Sequence, residues 1–158
     1  MLTLNPNETG SSSPKASTLH EVLSVISKTR GDLKKAKMLQ EASSKEVKTV
    51  LRGAFDPRIV FLLPEGMPLA VKLLEGPHGV KHAFINACLD KFPYFIKGGP
   101  GENLKSAIRE RMFIEALSVI HADDARLLVA MKDKKLPSLY PGITFELVDV
   151  AFPGLLGK

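Results

Sequence analysis

Apolar residues in this chain recur every three or four positions, and the polar residues between them mark where each run stops. Leu19, Val22, Leu23 and Ile26 form the first stripe, behind Thr18 and Glu21 at capping-box spacing. That predicts a helix over about 19–29 ending at Gly31. Asp32 is placed to cap a second helix, 33–40, whose polar side is basic. Ser43 and Glu46 repeat the capping-box spacing and open a third, through Val47, Val50 and Leu51 to about residue 54. Val80, Ala83, Phe84, Ala87 and Cys88 predict a helix from 79 to 91, which Pro93 ends or kinks.

The longest stripe follows Asn103, a good N-cap residue. Leu104, Ala107, Ile108, Ile114, Leu117 and His121 fall at helical spacing, and Met112, Phe113, Ala116, Val119 and Ile120 widen the apolar side. A helix apolar on most sides has to be surrounded by other elements, so the one over about 103–121 is the expected centre. Asp123 and Asp124, then Lys132, Lys134 and Lys135, have the charge order of the two ends of a further helix. Thr144 caps a last short one, 145–152.

Between the third helix and residue 68 the pattern breaks. Three prolines fall in the 14 residues from Phe55 to Pro68, and Ile59 to Leu63 is a β-prone run with no obvious partner strand. It is expected to lie as an irregular arm, about 55–68, across the helices. Leu69 to Leu74 adds a helical turn or two, and Gly98-Gly99-Pro100-Gly101 reads as a flexible connector. Residues 1–16 are rich in Ser, Asn, Pro and Gly and too polar to offset the cost of ordering, so they form a disordered tail. The expected fold is all-α: a single helical domain over 17–158, with six or seven short helices around the 103–121 helix.

Length and composition agree with one globular domain of 158 residues, 44% hydrophobic and 25% charged. No apolar run approaches the roughly 18 residues of a bilayer span, and the N-terminus lacks the basic start and apolar core of a signal peptide. With one cysteine there is no disulfide framework, and a reducing cytoplasm is the default. The net charge of +5 is localised: residues 28–52 hold eight bases against three acids, which is the whole excess. Lys34, Lys35 and Lys37 on one helix, with Lys45, Lys48 and Arg52 on the next, form a candidate interaction patch. A solvated helix face is the alternative reading of the same residues.

Other chemistry is sparse. His78 and His82 have the spacing of two metal ligands on a helix, but Gly79 intervenes and no further ligand follows. Cys88 lies among apolar residues, six positions from His82, where a thiol behaves as a small hydrophobe. The glycine run precedes Glu102 rather than the lysine of a phosphate-binding loop. Asp123, Asp124 and Asp133, or Glu110 and Glu115, are not spaced as a paired acid and base. Arg109 and Arg111 are secondary candidates because they sit in the least polar helix, where a carboxylate or backbone carbonyls must hold them. No catalytic residue, metal or cofactor is assigned.

Five strings carry a family resemblance. They are Ala54-Phe-Asp-Pro-Arg-Ile-Val-Phe-Leu-Leu-Pro-Glu-Gly, Arg109-Glu-Arg-Met-Phe-Ile-Glu-Ala-Leu, Leu128-Val-Ala-Met-Lys-Asp-Lys-Lys-Leu, and Tyr140-Pro-Gly-Ile-Thr with Ala151-Phe-Pro-Gly-Leu-Leu. In order and spacing, over about 43–156, they resemble a family of small proteins of unassigned function in tailed bacteriophages, particularly marine, cyanophage-type ones. Residues 69–74 depart from the Pro- and Tyr-containing continuation of that pattern. The resemblance implies a phage accessory protein in the host cytoplasm and brings no catalytic residue with it. The expectation is a non-enzymatic adaptor that binds a host or phage protein, with nucleic-acid binding through residues 28–52 second and an enzyme third. A membrane is not expected among its partners.

Overall fold

The computed structural model describes residues 18–73 and 85–156. Helix α1 (Leu19–Lys28) opens on the predicted capping box: the Glu21 N–H donates to Thr18 Oγ1 at 3.2 Å, and the Thr18 N–H to Glu21 Oε1 at 2.8 Å. In α2 (Asp32–Glu41), Asp32 lies inside the first turn rather than at the cap. Gly31 makes that corner at φ +91°, a conformation strained for a residue with a side chain. α3 (Lys45–Phe55) is capped by Ser44, whose hydroxyl accepts from the Val47 N–H at 3.1 Å, one residue later than the Ser43–Glu46 pair suggests.

The described chain resumes with α4 (Ile85–Leu89), a 3-10 turn at Phe92–Tyr94, α5 (Ser106–Leu117), α6 (Ala122–Lys132), α7 (Leu136–Leu139) and α8 (Phe145–Ala151). Thr144 caps α8 as expected, its hydroxyl accepting from the Leu147 N–H at 3.2 Å. The fold is mostly helical, and among the described residues there is no sheet. The expected tail over 1–16 and the first part of the expected 79–91 helix lie outside the described residues.

The surrounded helix is one later than the apolar stripe of 103–121 suggests. α5 is shorter than that stripe and buries one side, through Arg109, Phe113, Ala116 and Leu117, while Ala107, Ile108, Arg111 and Glu115 face outward. Lys105, not Asn103, stands at its N-cap and makes no side-chain bond there. In α6, eight of eleven residues are buried, and α1, α3 and α7 pack around it. Asp124 and Lys132 are among the buried residues, and they interrupt the pattern that would otherwise mark this helix as central.

The arm is irregular, but its extended run has a partner. The Leu62 N–H donates to Phe95 O at 2.7 Å and the Lys97 N–H to Val60 O at 2.8 Å, so Phe61 pairs antiparallel with Ile96. Residues 69–73 form no helix. The glycine run is a tight fold-back: a Cβ on Gly99 would stand 2.1 Å from Pro93 O, and one on Gly101 2.1 Å from Tyr94 O. Farther along, the arm is tied to the end of α6. Lys132 Nζ donates to Pro64 O at 2.8 Å, and the Gly66 N–H to Asp133 Oδ2 at 2.9 Å.

Candidate functional site

The six cations of the predicted patch lie on α2 and α3, and five are exposed: Lys34, Lys37, Lys45, Lys48 and Arg52. α2 packs against α8 through a side that buries Ala36 and Leu39. Gln40 Nε2 donates to Ala151 O at 3.0 Å at the far end of that seam, and the stem of Lys35 lies against Gly142 at the near end. Lys35 is therefore half-buried in the seam, while Lys34 and Lys37, one turn apart, hold the outer face.

On α3, Val47, Val50, Leu51 and Ala54 face inward. That leaves Lys45, Lys48 and Arg52 at i, i+3 and i+7 along one exposed line. Among the described residues none of the six cations is in an ion pair. Lys48 instead stands 5.7 Å from the centre of the Phe152 ring, at the end of α8.

Three residues past Arg52, on the same face, Phe55 opens a cleft of about 610 Å³. Ile59, Val60 and Phe61 of the arm, Lys134 just past α6, and Phe145 at the start of α8 share its lining. Its walls are mostly apolar, and Val60 is 46% exposed at the wall. Lys134 Nζ donates to Gly53 O at 2.6 Å and to Asp56 O at 3.2 Å, and lies 5.7 Å from the Phe61 ring centre. Burial lowers the Lys134 pKa, and the nearby Asp56 charge partly opposes that shift. Asp56 itself is fully buried and is held by Arg58, whose Nε and Nη2 reach its two oxygens at 3.1 and 3.0 Å.

The secondary candidates separate. Arg109 is buried and satisfied by backbone: Nε donates to Leu62 O at 2.9 Å, and Nη1 to Leu104 O at 2.9 Å and Gly101 O at 3.2 Å. It binds the arm and the fold-back to α5 and has no carboxylate among these partners. Arg111 is exposed.

Three further sequence candidates are tied into the fold. Burial pushes the Cys88 thiol up to about 12, the reverse of what an activated nucleophile needs. Glu102 accepts from the Gly98 N–H and so fills its own loop. Asp133 is occupied by Gly66 and Lys132. Among the described residues no group of three His, Cys, Asp or Glu is placed to hold a metal, and His78 and His82 lie outside those residues.

A polar cluster that sequence reasoning missed joins α1, α6 and the residue after α7. His20 Nδ1 lies 2.7 Å from the Tyr140 hydroxyl, and His20 Nε2 lies 3.7 Å from Asp123 Oδ2. His121 caps α6, its Nδ1 accepting from the Asp123 N–H at 3.0 Å, and Arg126 reaches Asp123 at 3.2 Å. Tyr140 is almost wholly buried, and burial, then Asp124 and Asp123, raise its pKa. The local signal was His121 two residues before Asp123; nothing in the sequence announces a tyrosine 120 positions from His20.

Residues 22–138 match a family of unknown function, DUF6433. The chain belongs to this family. The DUF6433 match begins inside α1 and ends inside α7, so it takes in both basic helices, the arm and the surrounded helix. It starts before residue 43, where the motif resemblance begins, and stops short of the strings at 140 and 151. No curated protein and no solved structure matches the chain. In this DUF6433 chain no helix among the described residues is long and apolar enough to cross a membrane.

Proposed function

We propose that this chain is a non-catalytic accessory protein of a tailed bacteriophage, working in the host cytoplasm by binding an acidic surface of a host or phage protein. The phage origin rests on the motif strings between residues 54 and 156. The mode of action rests on one observation: five exposed cations on the outer faces of α2 and α3 have no ion-pair partner among the described residues. Like charges held along one helix face repel one another, and an acidic partner relieves that repulsion.

The test is affinity capture from host lysate with the wild-type protein and with a Lys45→Glu, Lys48→Glu, Arg52→Glu variant, each with and without nuclease. A protein retained after nuclease and lost with the variant is the expected result. Capture that the variant leaves unchanged overturns the reading.

A second reading, nucleic-acid binding, draws on the same cations. It predicts binding to labelled duplex or single-stranded oligonucleotide that weakens with salt, with a log–log slope of roughly −0.7 to −0.9 per phosphate contact. Lys34→Gln with Lys37→Gln would then flatten that slope. Against it, α2 carries no aromatic residue, and of the rings bordering the α3 stripe Phe152 lies under Lys48 and Phe55 is half-buried at the cleft.

A further inference from the structure

The basic line on α3 and the cleft at its end are continuous. Lys45, Lys48, Arg52 and Phe55 fall at i, i+3, i+7 and i+10, so the exposed face of one helix reads as three cations followed by an aromatic ring. From Lys45 to Phe55 that face extends about 15 Å, at roughly 1.5 Å per residue. Side chains at the two ends of α8 border this face: Lys48 lies over Phe152 just past its end, and Phe55 shares the cleft with Phe145 at its start. Charge and apolar depth are thus set side by side on one surface, with the arm closing the far wall at Ile59 and Val60.

We infer that this surface is a docking groove for an acidic peptide segment of a partner protein, one that places a large apolar side chain in the cleft and its carboxylates along α3. The inference deepens the protein-binding reading and rests on it. Charge complementarity selects an acidic occupant for the stripe. The cleft favours a peptide over a duplex: a duplex turns phosphates and sugars outward and has no free apolar group to put against Phe55, Ile59, Val60 and Phe145, whereas aromatic and aliphatic anchors in pockets dominate peptide affinity. Lys134 fits the same occupant, since its ammonium is at the cleft and already loses hydration there, so a carboxylate beside the anchor would gain from it.

The probe is a random dodecapeptide library selected on the immobilised full-length protein, with enriched sequences resynthesised and titrated by fluorescence anisotropy. Two variants partition the surface: Val60→Glu, at an exposed wall of the cleft, and Arg52→Glu, on the stripe. Circular dichroism establishes that both remain folded. Enriched peptides should combine Asp or Glu with one Phe, Trp, Leu or Ile, and each variant should weaken them at least tenfold. Acidic peptides that ignore Val60→Glu would sink the groove while leaving the cationic face as a binding surface. Apolar peptides that ignore Arg52→Glu would sink the groove as well. If no peptide is enriched and labelled duplex binds instead, both the groove and the protein-partner reading fall. If neither peptide nor oligonucleotide binds, the groove falls, and the lysate capture decides the cationic face separately.

Discussion

Lys134 Nζ donates a 2.6 Å hydrogen bond to the carbonyl of Gly53, 81 residues earlier in the chain, and so caps the end of α3 from just beyond the end of α6. The backbone of Lys134 is left-handed, at φ +60°. It stands where a helix of this kind normally ends on glycine: the Lys135 N–H returns to Ala130 O at 2.8 Å and the Lys134 N–H to Met131 O at 3.1 Å. A lysine is strained there, yet its side chain reaches the end of α3, where a helix leaves carbonyls without intrahelical donors.

That relationship gives the first prediction. Lys134→Gly loses the cap but relieves the backbone, whereas Lys134→Ala loses the cap and keeps the strain. The alanine variant should therefore be less stable than the glycine variant by about 1 kcal/mol in urea unfolding. Equal stability would mean that the left-handed backbone carries no cost here.

The second prediction concerns the core. Leu117 and Leu128 have no exposed surface, while Ile114 is half-buried. Leu117→Ala and Leu128→Ala should each cost about 2–5 kcal/mol through lost packing and a residual cavity. Ile114→Ala should cost clearly less. A Leu128→Ala loss below about half a kcal/mol would remove α6 from the centre of the fold.

The third prediction separates the two arginines of α5. Arg109→Met removes the side-chain donor from the carbonyls of Leu62 and Leu104, and from that of Gly101, which keeps the Leu104 N–H, and should cost about 1–3 kcal/mol. Arg109→Lys should recover part of that loss, because an ammonium cannot match the planar fork. Arg111→Met, at an exposed position, should stay within about half a kcal/mol of wild type. Thermal unfolding of the three variants decides it.

Some local signals survived from sequence to structure, while the caps expected at Asp32, Ser43 and Asn103 fell one or two residues away and the long-range relationships were not legible. Thr18 with Glu21, and Thr144, cap the helices they were expected to cap because each bond spans three residues. The exposure of Lys45, Lys48 and Arg52 followed from helical spacing alone. Lys35 was grouped with its neighbours because only Gly142, far along the chain, turns it into a seam. The position of the surrounded helix was hidden by Lys132, a buried cation whose acceptor, Pro64 O, is 68 residues away. Likewise the partner of the Ile59–Leu63 run is a single pairing with Ile96, too short to leave an alternating pattern. The cleft belongs to this second class: Phe55, Lys134 and Phe145 come together only when three helix ends meet.

The last prediction is an alkaline instability with a known sign. Burial raises the Cys88 thiol from 9.0 to about 12 and raises the Tyr140 phenol as well. For both, the folded state keeps a proton that the unfolded chain gives up, so their contribution is complete below about pH 9 and falls as pH rises. Each group can remove up to about 1.4 kcal/mol per pH unit within its window. Lys134 acts in the opposite direction: its folded pKa is lowered, so the folded state gains relative to the unfolded one as pH rises toward 10.5. Lys135, whose pKa is raised by its hydrogen bond to Glu65, adds to the loss toward pH 10.5, so three groups against one predict a lower urea midpoint at pH 10.5 than at pH 8. Cys88→Ala should lose some stability at pH 8, where a buried side chain has been trimmed, and should show a smaller fall between pH 8 and 10.5. A fall as steep as that of wild type would show that the thiol ionises freely in the native protein, and the alkaline loss would then belong to Tyr140 and Lys135.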